Sequence, residues 1–228
     1  VWTGRPRAEL RKPYRLAIHS NWEEFSFCYG CRVGLREKKA QKVREAIYDA
    51  MLTLAERDGY EAATLEQVAE RAEVAISTVY RYFANKDAIL LDPVERGVGA
   101  LAGLFRARPE DEHAAVSLGW TVRAALDIGP EHLARIRRLR AQLDLAPGPR
   151  ARLWDLMHRE RLLLEDAIAE RSGRDHLWNA AAAHLTLMIV GMAYDHERDS
   201  LDETTPADYA DRVMAMLHDS GNPLPVRA

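Results

Sequence analysis

The sequence predicts an all-α protein, with a small N-terminal three-helix helix-turn-helix head joined to a larger C-terminal helical body. Alanine, leucine, glutamate and arginine are abundant, whereas glycine and proline number only 13 and 10 among 228 residues. Alternating β-branched runs, the mark of half-buried strands, do not occur. The stretch Thr64 to Lys86, TLEQVAERAEVAISTVYRYFANK, reads as two short helices joined by a tight turn.

The totals bound the function. A chain that is 47% hydrophobic can bury a real core, and a formal net charge of -3 does not advertise a nucleic-acid partner. Any DNA contact must therefore come from local placement of cations. Two cysteines, Cys28 and Cys31, provide no disulfide framework and make a reducing cytoplasm the default compartment. The lone CxxC they form has only His19 nearby, short of a zinc ligand set, so no metal and no cofactor is expected. The longest apolar run, Ala180 to Ala193, is shorter than the roughly 20 residues that span a bilayer, and the polar, basic start is not a signal peptide, so no membrane partner is expected.

In chain order, residues 1–34 lack periodicity and read as a loose arm. The first helix runs from Leu35 to Asp58, with Val43, Ile47, Ala50, Met51 and Leu54 on one face and Gly59 as its C-terminal stop. Its start carries Arg36, Lys38, Lys39, Lys42 and Arg44 against Glu37 and Glu45. Cations there oppose the helix dipole, which marks Lys39 and Lys42 as candidates for a phosphate backbone. Thr64 and Gln67 form a capping box, and Leu65, Val68, Ala69 and Ala72 make the buried stripe of the second helix. In the third, Ala75 to Phe83, Val79 and Phe83 face inward. Ile76, Ser77, Thr78, Tyr80, Arg81 and Tyr82 spread over the outside.

Those outward types suit double-stranded DNA. Hydroxyl and ammonium groups bind phosphate oxygens, an aliphatic group such as Ile76 can touch a thymine methyl, and Arg81 can reach guanine or phosphate. Thr64 and the helix opening at Asn85-Lys86-Asp87 add free amides that favour phosphate. The candidate DNA-binding residues are thus Lys39, Lys42, Thr64, Ala75, Ile76, Ser77, Thr78, Tyr80, Arg81, Tyr82 and Lys86.

From about Leu35 to Leu91 the chain resembles the tetracycline-repressor (TetR) family of bacterial regulators. Thr64, Val68, Ala69, Ala72, Val74, Thr78, Val79, Tyr80, Tyr82, Phe83, Asn85, Lys86, Asp87 and Ile89 meet that family's pattern. Glu73 departs from it where a turn glycine is usual, a cost of about 1 kcal/mol if the residue is left-handed. Ala75 departs from it where a serine cap is common. Since Val33-Gly-Leu-Arg resembles the family's ordinary beginning, translation is expected to start at Val33. An intact mass that includes earlier residues would overturn this.

A fourth helix is expected from Asn85 to about Arg106, kinked near Asp92 by Pro93 and loosened by Gly97, Gly99 and Gly103. The resemblance implies that inducers act by shifting this helix. Next, a helix from Pro109 to about Asp127 places Val116, Trp120 and Arg123 in line, with Val122 and Leu126 to the side. Gly129-Pro130 opens another, with Leu133, Ile136, Leu139 and Leu143 inward and Arg135, Arg137, Arg138 and Arg140 outward as a solvated face or, less favoured, a second nucleic-acid patch. Ala146-Pro-Gly-Pro149 reads as a loop.

The helix that follows, to about Arg171, carries a stripe of Leu153, Leu156, Met157, Leu163, Leu164, Ala167 and Ile168 with Glu160 near its middle. A carboxylate there needs a partner such as Arg123 or His184, a ligand, or a pocket open to water. The next helix, Arg174 to about Arg198, is apolar nearly all round. Its small side, Ala182, Ala183, Thr186, Val190 and Ala193, is assigned to a dimer partner, and Leu177, His184, Met188 and Asp195, flanked by Trp178 and Met192, to core and pocket. Thr205 and Pro206 begin a last helix ending at Ser220-Gly221, with Tyr209, Val213, Met216 and Leu217 buried. The candidate ligand-binding residues are Trp120, Arg123, Trp154, Met157, Glu160, Trp178, His184 and Met188.

Residues 35–91 are accordingly expected to bind DNA, 92–221 to bind ligand and dimerise, and 222–228 to form a tail. The function expected is a homodimeric regulator, a repressor on a near-palindromic operator released by a small-molecule inducer. Two readings compete with it. One is a helical enzyme with a vestigial head, for which the sequence offers no GxSxG, HExxH or phosphate loop. The other is an architectural DNA binder without an inducer, favoured by a body that lacks an enclosed cavity.

Overall fold

A computed structural model describes residues 35–199 and 204–219. The expectations for the N-terminal arm, for Cys28, Cys31 and Val33, and for the chain after Gly221 lie outside the described residues. Among the described residues all regular structure is helical. In the head, α1 is Leu35–Asp58, α2 Leu65–Arg71, α3 Ile76–Tyr82 and α4 Lys86–Leu90; α5, Asp92–Gly97, leads to α6, Ala100–Arg106. The body continues with α7 (Ala114–Leu126), α8 (Pro130–Leu145), α9 (Pro147–Ser172), α10 (His176–Asp199) and α11 (Pro206–His218).

The head forms as its local chemistry dictates. Gly59 ends α1 with φ +90°, donating its amide to Ala55 at 3.0 Å. Ile47, Met51, Leu52, Val68, Val79, Phe83, Ile89 and Leu90 bury their side chains in one cluster, which does not stop at the head. Leu139 and Leu143 of α8, Ala146, and Leu156 of α9 complete it. Two further clusters hold the body. One joins Leu101, Ala102 and Phe105 of α6 to Leu164, Ala167 and Ile168 of α9 and Ala183 of α10. The other joins Val122 and Leu126 of α7 to Ile189, Ala193, Ala210 and Val213.

Several expected boundaries need correction. The single kinked helix from Asn85 to Arg106 is three helices, broken at Leu91 and again at Val98-Gly99, where Gly99 takes φ +94°. The helix expected from Pro109 begins only at Ala114. Arg108 pairs with Glu112 at 2.6 Å, and His113 caps α7 by accepting the Ala115 amide. The buried face of α7 is Ser117, Leu118, Thr121, Val122 and Leu126, whereas Val116 is exposed. Ala146-Pro-Gly-Pro149 is not a loop, because Pro147 and Pro149 sit in the first turn of α9, where missing amides leave no bond unmade.

The largest correction concerns α10. Its small residues Ala183, Thr186 and Ala193 are buried against its own chain, while Leu177 is 78% and Met188 42% exposed, and His184 is exposed with them. The two faces are the reverse of those expected. Over His176–Glu197 this helix has a mean hydropathy of 1.3 and the length of a membrane span. It packs against α7, α8, α9 and α11 and pairs Asp195 and Glu197 with arginines of α8.

Because the first cluster spans head and body, Leu143→Ala is expected to lower stability by about 2–5 kcal/mol. Urea unfolding followed by circular dichroism should shift as one transition, and a body transition left in place would show that the head core stands alone.

Candidate nucleic-acid interface

The turn of the helix-turn-helix is built at Glu73. Its φ is +54°, the left-handed conformation whose cost the missing turn glycine raised as a possibility. Its amide donates to Glu70 at 3.1 Å and that of Val74 to Ala69 at 3.0 Å, so the last carbonyls of α2 are satisfied as in a Schellman stop. Thr64 and Gln67 make the expected capping box at the start of α2. Ala75 begins α3 without a side-chain cap, also as expected.

On α3, Val79 and Phe83 point into the core, which leaves Ser77, Tyr80 and Arg81 exposed and Ile76, Thr78 and Tyr82 half-buried. Tyr80, 55% exposed, is the most open large hydrophobic side chain among the described residues of the head. Lys39 and Lys42 are exposed on α1. Ala75 offers only backbone and a methyl group, and Ile76 packs partly against the head core. Tyr82 lies between two guanidinium groups, Arg44 at 5.5 Å and Arg81 at 5.1 Å from its ring centre. Arg44 also pairs with buried Asp92 on α5, so Tyr82 belongs as much to the head's joint with α5 as to its outer surface.

Lys86 has a structural duty that spacing alone did not reveal. Its Nζ donates to the carbonyls of Tyr60 and Glu61 at 3.1 and 3.0 Å and lies 4.9 Å above the Tyr60 ring. An ammonium has three donors, so one is left for a phosphate. Asp87 accepts from the Tyr60 hydroxyl, and burial together with that carboxylate pushes the phenol's pKa well above its ordinary value. The Asn85 side chain caps α4 by accepting the Ala88 amide at 2.9 Å.

The eight candidate ligand residues do not converge. Trp120 lies half-buried under the Arg108 guanidinium at 4.7 Å, and Trp178 under Arg174 at 5.4 Å. Arg123 pairs with Asp211 at the surface rather than with Glu160. Trp154 is 72% exposed, Met157 is half-buried, and His184 and Met188 are on the open side of α10. Two clefts of about 470 and 430 Å³ lie on the head, beside Arg71 and Glu73.

Glu160 is 5% exposed, and its partner is neither Arg123 nor His184. Its carboxylate accepts the amide of Gly99 and, at 2.8 Å, that of Leu101, capping the N-terminus of α6 from the side of α9. Burial raises its pKa, and the two amides partly offset that. The other end of α6 is held by Arg171, which donates to the Phe105 carbonyl at 2.9 Å. A negative group at one end and a positive group at the other match the helix dipole.

A capping-box helix, a left-handed turn and an open second helix, set on a helical body, have the geometry of a helix-turn-helix. Residues 47–92 match the model of bacterial regulatory proteins of the tetR family. The HTH-type transcriptional regulator TcmR of Streptomyces glaucescens is 33% identical over 93 residues, 41% of this chain and 41% of its own length. The HTH-type transcriptional repressor KstR of Rhodococcus jostii is 50% identical over 58 residues, 25% of this chain and 27% of its own. The chain thus covers less than half the length of these relatives.

The fold extends the likeness. FadR of Bacillus subtilis, solved with stearoyl-CoA, superposes with a TM-score of 0.55 over 78% of this chain and 98% of its own, at 16% identity. A tetR-family regulator from Mesorhizobium loti superposes at 0.51 over 80% and 95%, at 17% identity. Residues 47–92 thus resemble the DNA-binding region of tetR-family bacterial regulatory proteins, and the body shares their helical fold.

Glu160→Gln keeps the shape of the side chain but places an amide donor before two backbone donors. A loss of about 1–3 kcal/mol is expected in chemical denaturation, with faster amide exchange at Gly99 and Leu101. Unchanged exchange at those two amides would count against the cap.

Proposed function

We propose that this protein is a transcriptional regulator that docks α3 in the major groove and represses as a homodimer on a near-palindromic operator. The observation that carries the reading is the exposed row of Ser77, Tyr80 and Arg81 on α3, in a head whose family model matches tetR regulators. Lys39 and Lys42 supply cations for the phosphate backbone beside it. Residues 35–91 are the DNA-binding unit in this reading. Repression is supported by the KstR relatives, which are repressors. Such a protein works in the bacterial cytoplasm. The relatives and fold neighbours named above are regulators, and the helical-enzyme reading has no supporting observation.

The dimer face in this reading is the open stripe of α10, Leu177, Ala181, His184 and Met188, at helical spacing and continued by Met216 on α11. A small hydrophobic molecule is the inducer, acyl-CoA thioesters being the first to test because FadR of the same fold was solved with one. Release requires that the molecule prefer the conformation with wrongly spaced heads. The architectural reading gains from one fact, the scatter of the eight candidate ligand residues over the body. Failure of every tested thioester and fatty acid to release retained DNA would favour it.

Recovery of duplex fragments from sheared genomic DNA tests the central reading. Tyr80→Ala and Lys39→Ala are each expected to weaken binding to the recovered fragments by about tenfold at matched salt, or 1.4 kcal/mol, with the far-ultraviolet spectrum unchanged. Equal affinity for the Tyr80→Ala variant would sink α3 as the reading helix. Lys86→Ala should lower thermal stability as well, since it releases the Tyr60 turn. Met188→Glu should convert the dimer to monomer in sedimentation, by burying an unpaired charge, and a dimer of undiminished affinity would place the interface elsewhere.

A further inference from the structure

Helix α8 carries arginines on two sides, and each of the four pairs with a carboxylate. Toward the head, Arg135 meets Asp49 at 2.6 Å, and Arg138 grips Glu56 with two parallel bonds of 2.7 Å while reaching Thr53 at 3.4 Å. Asp49, Thr53 and Glu56 lie on one face of α1, the helix whose start offers Lys39 and Lys42 to DNA. Toward the body, Arg137 pairs with Glu197 and Arg140 with Asp195, both on α10. Between these pairs Leu139 and Leu143 bury themselves in the head cluster.

We propose that α8 is a strut that sets the position of the DNA-binding head relative to α10, with Arg135 and Arg138 on the head side and Arg137 and Arg140 on the α10 side as positioning residues. The proposal rests on the reading that this chain binds DNA as a dimer through α10. In that dimer, the separation of the two heads depends on how each α1 is mounted on its own α10. α8 is the direct mount, touching both helices, whereas the covalent route through α5 is broken at Leu91 and Val98-Gly99.

The physical case does not require strong pairs. Half-exposed ion pairs contribute little stability, typically below about 1 kcal/mol each. What they supply is direction. The Arg138–Glu56 fork is planar and bidentate, so it resists sliding and rotation of α1 over α8, while the apolar contacts of Leu139 and Leu143 tolerate both. The same pairing argues against the arginines as a second nucleic-acid patch, since each guanidinium already holds a carboxylate.

The test uses the full chain and duplex fragments that the wild-type protein retains from sheared genomic DNA, then synthetic copies with one base pair inserted or removed at the centre. Wild type should prefer the native spacing. The Arg135→Glu/Arg138→Glu variant should lose about tenfold in affinity for that spacing and much of its preference among spacings, while remaining dimeric in sedimentation. Arg138→Glu combined with Glu56→Arg should regain the preference, which a merely structural role would not require. If charge reversal unfolds the chain, Arg135→Gln/Arg138→Gln gives the same comparison. A folded, dimeric variant with undiminished affinity and spacing preference overturns the strut alone. A wild-type chain that retains no duplex overturns the DNA-binding reading, and the strut's role with it.

Discussion

The contact between the Glu160 carboxylate and the first amides of α6 is the constraint on which the arrangement of head and body depends. Along α9, Leu153 and Leu156 pack with the head cluster and Leu164, Ala167 and Ile168 with the body cluster, so Glu160 falls between two apolar regions. A carboxylate is costly there unless it is hydrogen-bonded. The helix start at Gly99 supplies two donors, and the left-handed φ of Gly99 breaks the chain so that those donors face α9. Each feature answers a cost in the other: buried charge is matched by orphan amides, and an uncapped helix start is matched by a carboxylate. With Arg171 at its far end, α6 is bound to α9 at both termini.

Once α6 is held in this way, the connector divides into parts with different loyalties. α6 contributes to the body cluster, whereas Val94 and Val98 pack on the head cluster and Asp92 of α5 pairs with Arg44 of α1. The boundary between them is the Val98-Gly99 step. The head does not hang from this step alone, because α8 and the start of α9 complete its core. Displacing the head from α8 therefore means moving apolar contacts and the two ion pairs between α8 and α1, rather than bending a free hinge.

What was legible in the sequence follows from how local each determinant is. The capping box at Thr64, the stop at Gly59, the turn at Glu73 and the uncapped Ala75 were readable because the groups that decide them lie within a few residues. The inward pair Val79 and Phe83 followed from helical spacing. The second break at Gly99 was not readable, since the group that makes it tolerable is 61 residues away on α9. The arginines of α8 looked like a solvated face for the same reason, as their partners are separated from them by 55 to 86 positions. For Lys86 the family motif pointed outward, while the two carbonyls it holds follow from the fold of the turn at Tyr60.

The reversed faces of α10 show where pattern reading fails in principle. Periodicity separates inside from outside only when one side is polar, and this helix is apolar on nearly every side. Size then becomes the only cue, and it permits two answers. Small residues allow close approach of a partner helix, but that partner can belong to the same chain, and here α7, α9 and α11 crowd the side of Ala183, Thr186 and Ala193. The bulky Leu177 and Met188 are left outside, where their apolar surface is unsatisfied in an isolated chain. Close packing within the subunit thus uses up the small side, and the residues that remain to meet a second copy are the ones whose burial yields more free energy per side chain.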